Sequence, residues 1–72
     1  MIGTVRKYIS NKGYGFIDGE DGDSYFFHIR KTNLDPAKRY ELDDLMVEFT
    51  PHREIIDNVI KSHAEDVIFH LK

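Results

Sequence analysis

The sequence contains no cysteine. A disulfide framework and a thiolate metal site are therefore excluded, and a reducing compartment is permitted. The segment MIGTVRKYISNKG at residues 1–13 lacks the apolar run of a signal peptide. No stretch approaches the roughly 20 apolar residues of a membrane-spanning helix. We therefore expect a cytoplasmic protein that has no membrane partner.

The chain also lacks room for an enclosed active site and lacks catalytic patterns. Its 72 residues, 40% hydrophobic and 32% charged, predict a single globular domain over residues 1–72 with one small core. No serine lies in a nucleophile-elbow pattern, and no phosphate-binding glycine loop precedes a helix. The histidines lack metal-ligand spacing: His28, His52, His63 and His70. We expect a protein that is not an enzyme and that has no cofactor, no metal and no small-molecule substrate.

The net charge of −3 does not indicate a general polyanion binder. The charges are nevertheless segregated along the chain. Residues 1–17 contain basic side chains and no acid, residues 18–23 and 41–48 are acidic, and residues 30–39 are mostly basic. This pattern allows one basic face, although ordinary mixing of solvated charges explains the charges alone better.

Residues 12–29 predict a β-hairpin. The segments GYGFI and SYFFHI alternate with the period of two that is typical of strands. The segment DGEDGD between them contains two Asp-Gly dipeptides, which favour a turn.

Both faces of this hairpin carry aromatic side chains. One face predicts a core, together with a residue of the preceding strand: Val5, Ile17, Tyr25, Phe27 and Ile29. The opposite face, which we call the aromatic face, consists of Tyr14, Phe16, Phe26 and His28. An exposed cluster of this kind is an apolar patch that a monomer normally buries or uses. Either residues 31–44 or a second copy of the chain covers it as a second core, or it binds a ligand.

Two features favour a ligand with flat rings. Gly13 and Gly15 interleave with the aromatic residues and leave the rings open to approach, although glycine weakens a strand. Basic residues flank the rings: Arg6, Lys7, Lys12, Arg30 and Lys31. Aromatic platforms bordered by cations hold single-stranded nucleic acid, since each stacked base contributes about 1–3 kcal/mol and phosphates contact Lys and Arg. His28 is interpreted as a stacking ring, with a partly buried strand histidine as the alternative.

A family resemblance appears at these residues. KGYGFI at 12–17 resembles the first ribonucleoprotein motif, and YFFHI at 25–29 is similar to the second motif as it occurs in cold-shock domains. The RNA-recognition-motif fold places these motifs in the opposite order, so the cold-shock family is the better match. The resemblance implies a five-stranded antiparallel OB-fold barrel, all-β, that binds single-stranded RNA or DNA.

Carried over by position, the resemblance assigns the aromatic face to base stacking and Lys12 to phosphate contact. It places Tyr8 and Ile29 at the edge of the site, partly buried. The complete set of expected nucleic-acid-binding residues is Lys7, Tyr8, Lys12, Tyr14, Phe16, Phe26, His28, Arg30 and Tyr40.

Three positions depart from the family pattern. Lys7 stands where the family usually has an exposed Trp, which predicts a lower affinity and a larger share of salt-sensitive phosphate contact. Ser24 stands where the family commonly has an acid, and Arg30 replaces a small polar residue.

The carboxy-terminal third allows two interpretations. LMVEFT at 45–50 predicts a fourth strand that ends near Pro51, and REIIDNVIKS at 53–62 predicts a strand, a turn and a strand. Ser62 and Glu65 have capping-box spacing, however, and a short helix would place Val67, Ile68 and Leu71 on one side. A closed barrel favours an extended last strand, because an unpaired edge would invite aggregation.

The sequence therefore predicts a small protein that binds single strands with little sequence preference. By resemblance it would be an RNA chaperone or a modulator of transcription or translation, and would act as a monomer or weak homodimer. The alternative is an OB-fold adaptor whose aromatic face docks a protein or a second subunit. The negative net charge, Lys7 and a segment after Pro51 that is longer than the family's closing hairpin favour this alternative.

Overall fold

The computed structural model describes residues 1–70, which form a closed five-stranded barrel. The strands are β1 (Ile2–Ile9), β2 (Tyr14–Gly19), β3 (Ser24–His28), β4 (Met46–Ile56) and β5 (Val59–Phe69). Their order around the barrel is β1-β2-β3-β5-β4. Strand neighbours are antiparallel except β3 and β5, which run parallel where Phe26 lies beside His63. The predicted OB-fold barrel is confirmed.

The core lies inside the barrel and follows the alternation of the strands. The predicted core residues Val5, Ile17, Tyr25, Phe27 and Ile29 are all buried. Strands β4 and β5 and the connection before β4 complete the core with Leu42, Val47, Phe49, Ala64, Val67 and Phe69. Ile29 thus belongs to the core, rather than to the partly buried edge where the resemblance placed it.

The hairpin of β2 and β3 is formed in the predicted register. Phe16 pairs with Phe26, and Tyr14 pairs with His28. Gly22 has a φ of +86° in the connecting turn, a conformation that glycine adopts without steric cost. This register places the aromatic rings side by side on the outer surface of the barrel.

Strand β4 is longer than the sequence predicted. Pro51 lies within the strand and pairs with Ala64, where a strand end was expected. Among the described residues, β4 pairs with β1 only over residues 46–48. A proline is tolerated at position 51 because that edge of the strand has no further ladder to complete.

The β4–β5 hairpin confirms the strand, turn and strand, and the alternative of a carboxy-terminal helix is wrong within residues 59–69. Asp57 and Asn58 have φ values of 51° and 63°, as a two-residue turn of type I′ requires. A bulge at Asp66, with a φ of 50°, inserts one residue into β5 between the partners of Glu48 and Thr50. Leu71, which the helical alternative also used, lies outside the described residues.

The connection between β3 and β4 is held by side chains that bond to strand backbone. The Asn33 side chain donates to the Phe69 carbonyl oxygen at 2.9 Å and accepts from the Phe69 N–H at 2.8 Å. Asp43, in the acidic segment 41–48, accepts from the Tyr8 N–H at 2.8 Å. These bonds satisfy backbone groups of Tyr8 and Phe69 and fix the connection to β1 and β5.

The described part of the chain contains no helix with the length and hydrophobicity needed to cross a membrane.

Candidate nucleic-acid interface

The aromatic face lies on the outside of β2 and β3 and its rings contact one another. The ring centroids of Phe16 and Phe26 are 5.9 Å apart in an edge-to-face arrangement, and Tyr14 lies 5.4 Å from Phe26. Phe16 and Phe26 are 37% and 39% exposed, whereas Tyr14 and His28 are half-buried. Neither residues 31–44 nor any other described segment covers the two phenylalanines, so they remain available for stacking.

His28 is held in place at the end of β3. Its Nδ1 accepts a hydrogen bond of 3.2 Å from the backbone N–H of Arg30, at the start of a 3₁₀ turn over Ile29–Lys31. This bond makes Nδ1 the acceptor, so the neutral ring carries its proton on Nε2. His28 can therefore offer both a ring face and a hydrogen-bond donor.

Gly15 has a different role from the one the sequence suggested. It is buried and faces the interior, where an added Cβ would collide with the Lys7 carbonyl oxygen and lie 2.9 Å from Cε1 of Phe27. Glycine is thus required by close packing between β1 and β2 and does not open the outer face. Gly13 has a φ of +75° and serves the turn before β2.

The flanking cations divide into two that form ion pairs, Arg6 and Lys31, and three that do not. Arg6 forms an ion pair with Asp18 and donates to Ser24 Oγ at 2.9 Å. The hydrogen bond from Arg6 lowers the pKa of Asp18 and thereby keeps its carboxylate charged. Within residues 1–70, no ion pair involves Lys7, Lys12 or Arg30, and all three are exposed. Arg6 is therefore held by contacts within the barrel, whereas the side chains of these three cations are available to a ligand.

Tyr8 and Tyr40 lie together at a separate edge of the barrel. The Tyr8 ring stacks on Phe27, with centroids 5.9 Å apart and planes 20° apart. Partial burial raises the pKa of Tyr8, and the nearby Tyr40 adds to this effect. The Tyr40 hydroxyl accepts from the Asp35 N–H at 3.2 Å. Both tyrosines pack against the core, so their free ring surface is smaller than that of Phe16 or Phe26.

The family described as "Cold-shock" DNA-binding domain matches residues 1–70. This chain belongs to the cold-shock domain family. Cold shock-like protein CspC of Bacillus cereus is 35% identical over 68 residues, which are 94% of this chain and 97% of that protein. Cold shock protein 1 of Lactiplantibacillus plantarum is 46% identical over 39 residues, which are 54% of this chain and 59% of that protein. The chain is accordingly a cold-shock protein of the nucleic-acid-binding type.

The aromatic face of this cold-shock domain is part of a longer row that crosses the strands. Lys7 pairs with Phe16, Phe16 with Phe26, Phe26 with His63, and His63 with His52. Sequence reasoning identified the first three members and missed the two histidines. Their position depends on the parallel contact between β3 and β5, for which the local sequence carries no signal.

A polar cluster on the cold-shock domain connects the turn between β2 and β3 to β4. The hydroxyl of the buried Tyr25 donates to Asp21 at 2.6 Å, and Arg53 donates to Asp21, Asp23 and the Tyr25 hydroxyl at 2.7–2.9 Å. The hydrogen bond from Tyr25 lowers the pKa of Asp21, and the same bond raises the pKa of Tyr25. Arg53 thereby links β4 to the turn across the barrel, a contact that the sequence did not reveal.

This cluster predicts a loss of stability in acid. Because the pKa of Asp21 is lower in the folded than in the unfolded state, its contribution is present above the unfolded value and is lost as the pH falls through the folded value. We expect the free energy of unfolding to decrease below about pH 4. Asp21→Asn should flatten this decrease in urea unfolding curves recorded at successive pH values. Asp57→Asn, in a turn that suits Asn, is the matched control. Identical acid profiles for Asp21→Asn and wild type would contradict this interpretation.

Proposed function

We propose that this cold-shock protein binds single-stranded RNA or DNA on its aromatic face without catalysing a reaction. The observation that carries the proposal is the pair Phe16 and Phe26. They lie in contact on a rigid hairpin, yet each leaves more than a third of its surface in solvent. Bases stacking on these rings would cover that surface, and each is expected to contribute about 1–3 kcal/mol.

The neighbouring side chains would complete the site. Tyr14 and His28 flank the two rings and extend the stacking surface, with the His28 Nε2 proton available to a base or phosphate. Lys7, Lys12 and Arg30 would contact phosphates, and Tyr8 and Tyr40 would extend the site at its edge. Stacking does not discriminate strongly among bases, so we expect little sequence preference.

Such a protein would act on nucleic acids by mass action. A surface that binds splayed bases lowers the population of the paired state in proportion to its preference for the single strand, without consuming chemical energy. This property suits an RNA chaperone in the cytoplasm, or a modulator of transcription or translation that keeps transient hairpins open.

The salt dependence of binding tests this proposal. Fluorescence anisotropy of a labelled pyrimidine-rich strand, as RNA and as DNA, should show affinity falling with salt at a log-log slope of about −0.7 per phosphate neutralised. Lys12→Ala should reduce the slope by about one such step. A protein that fails to bind either strand at low salt would refute the proposal.

Lys7 offers a gain-of-function variant. Lys7 lies beside Phe16 across β1 and β2 and is exposed, so a Trp at this position would extend the row of rings. We expect Lys7→Trp to tighten binding by about 1–3 kcal/mol and to lower the salt slope by about 0.7. Lys7→Gln is the control, since it removes the charge without adding a ring. Equal affinities for the two variants would show that position 7 does not stack.

A homodimer is a second candidate, and the observation that favours it lies away from the aromatic face. The tip of the β4–β5 hairpin exposes four apolar side chains: Ile55, Ile56, Val59 and Ile60. Among the described residues, the outer edges of residues 53–56 and 59–62 have no strand partner. Exposed apolar edges of this kind can pair with a second copy. Sedimentation should then show a dimer for the wild type and a monomer for Ile60→Lys, whereas a monomeric wild type would exclude this candidate.

A further inference from the structure

The outer surface of β4 and β5 brings together two imidazoles and a carboxylate. His52 and His63 are direct partners in the register, and Glu65 follows His63 by two residues on the same side of β5. His52 Nε2 lies 2.8 Å from Glu65 Oε2, and the two imidazole rings are stacked 5.2 Å apart with planes 14° apart. One donor atom from each side chain lies within 4.8 Å of the other two.

These donors match the preferences of zinc. Zn²⁺ binds imidazole nitrogen at about 2.0–2.1 Å and carboxylate oxygen at about 2.0–2.2 Å, usually with four tetrahedral ligands. Tetrahedral ligands at these bond lengths are about 3.3 Å apart. No separation in the cluster must therefore shorten by more than about 1.5 Å, which rotation of partly exposed side chains can supply. Three protein ligands leave the fourth position for water.

The backbone under the three side chains is fixed by the core, and the contact of Lys31 with Glu65, which would compete with a metal ion, is weak. Ala64, between His63 and Glu65, is buried in the core and fixes the outward direction of both neighbours. Lys31 Nζ lies 3.6 Å from the other Glu65 oxygen. The Lys31 side chain is 59% exposed, so it can turn into solvent when a dication arrives.

We propose that His52, His63 and Glu65 form a binding site for a divalent transition metal ion, with Zn²⁺ as the expected ligand. The sequence separations did not suggest this site, because His52 reaches the other two residues only through the pairing of β4 with β5. The proposal does not rest on nucleic-acid binding, although the site borders the aromatic face where His63 lies beside Phe26.

A calorimetric titration of the full metal-free chain with ZnCl₂, at about pH 7.5 and without nucleic acid, tests the site. This pH is chosen because zinc binds the neutral imidazole and competes with protons. We expect one ion per chain, with the affinity reduced at least about tenfold by His63→Gln and by Glu65→Gln. Zinc should also raise the melting temperature of the wild type by more than that of either variant at the same zinc concentration.

His70→Gln is the matched control. His70 also faces a glutamate, with Nε2 3.3 Å from Glu48 Oε2, but no second imidazole joins this pair among the described residues. Zinc affinity should be unaffected by this substitution. Absence of binding, or an equal loss in His63→Gln and His70→Gln, would overturn the proposal and leave the contact between His52 and Glu65 as a side-chain pair only.

A measurement on the wild type alone tests the zinc site even if the variants fail to fold. Histidine ring signals in NMR spectra should respond to zinc selectively, with large changes for His52 and His63 and none for His28 and His70. Equal changes at all four rings would mean non-specific surface binding and would refute the site.

Discussion

Phe27→Ala is expected to lower the free energy of unfolding by about 3–5 kcal/mol. Phe27 is fully buried, packs between Tyr8 and Phe69, and lies against Gly15, whose missing side chain admits its ring. The cavity left by alanine cannot collapse easily, because the surrounding strands are closed into a barrel. A chain of 72 residues has a total free energy of unfolding of about 4–11 kcal/mol. The substitution should therefore remove a large fraction of the stability of the fold.

Urea unfolding followed by circular dichroism measures this effect, and the adjacent residue supplies the control. Phe26 is the same residue type on the same strand but is 39% exposed on the opposite face. Phe26→Ala should cost clearly less than Phe27→Ala, about 1–2 kcal/mol, because more than a third of its surface is already in solvent and its removal leaves no enclosed cavity. Equal destabilisation by the two substitutions would mean that the aromatic face is a second core.

Phe26→Ala should instead weaken binding of a single strand by about 1–3 kcal/mol, which is roughly 5- to 150-fold in Kd. The ring contacts both Phe16 and Tyr14, so its loss removes part of the stacking surface and two ring contacts. Phe16→Ala should have an effect of similar size. Because the two rings are in contact, the double variant should depart from the sum of the single effects.

Anisotropy titrations at fixed salt measure these losses, with Ile55→Ala as the control. Ile55 is 75% exposed on the β4–β5 hairpin, away from the aromatic face, so its removal should leave binding unchanged. If Phe26→Ala binds as tightly as Ile55→Ala, the stacking role is wrong. The aromatic face would then serve the protein-docking alternative.

The architecture of the hairpin could be predicted because its determinants are local. In the β2–β3 hairpin, a period of two assigns Phe27 to the interior and Phe26 to the exterior without knowledge of any other strand. In the β4–β5 hairpin, the conformational preference of Asp57-Asn58 identifies the turn. The aromatic face, the order of the motifs and the membership of the cold-shock family all follow from such local patterns.

Only the tertiary structure decided which distant residues meet. The bulge at Asp66 spaces the buried Ala64 and Val67 by three, so β5 lacks the period of two that would identify a strand here. The requirement for Gly15 arises from the close approach of β1, and the juxtaposition of His52 with His63 arises from the long β4–β5 register. Barrel closure sets these contacts between residues far apart in the chain, and local propensity carries no information about them.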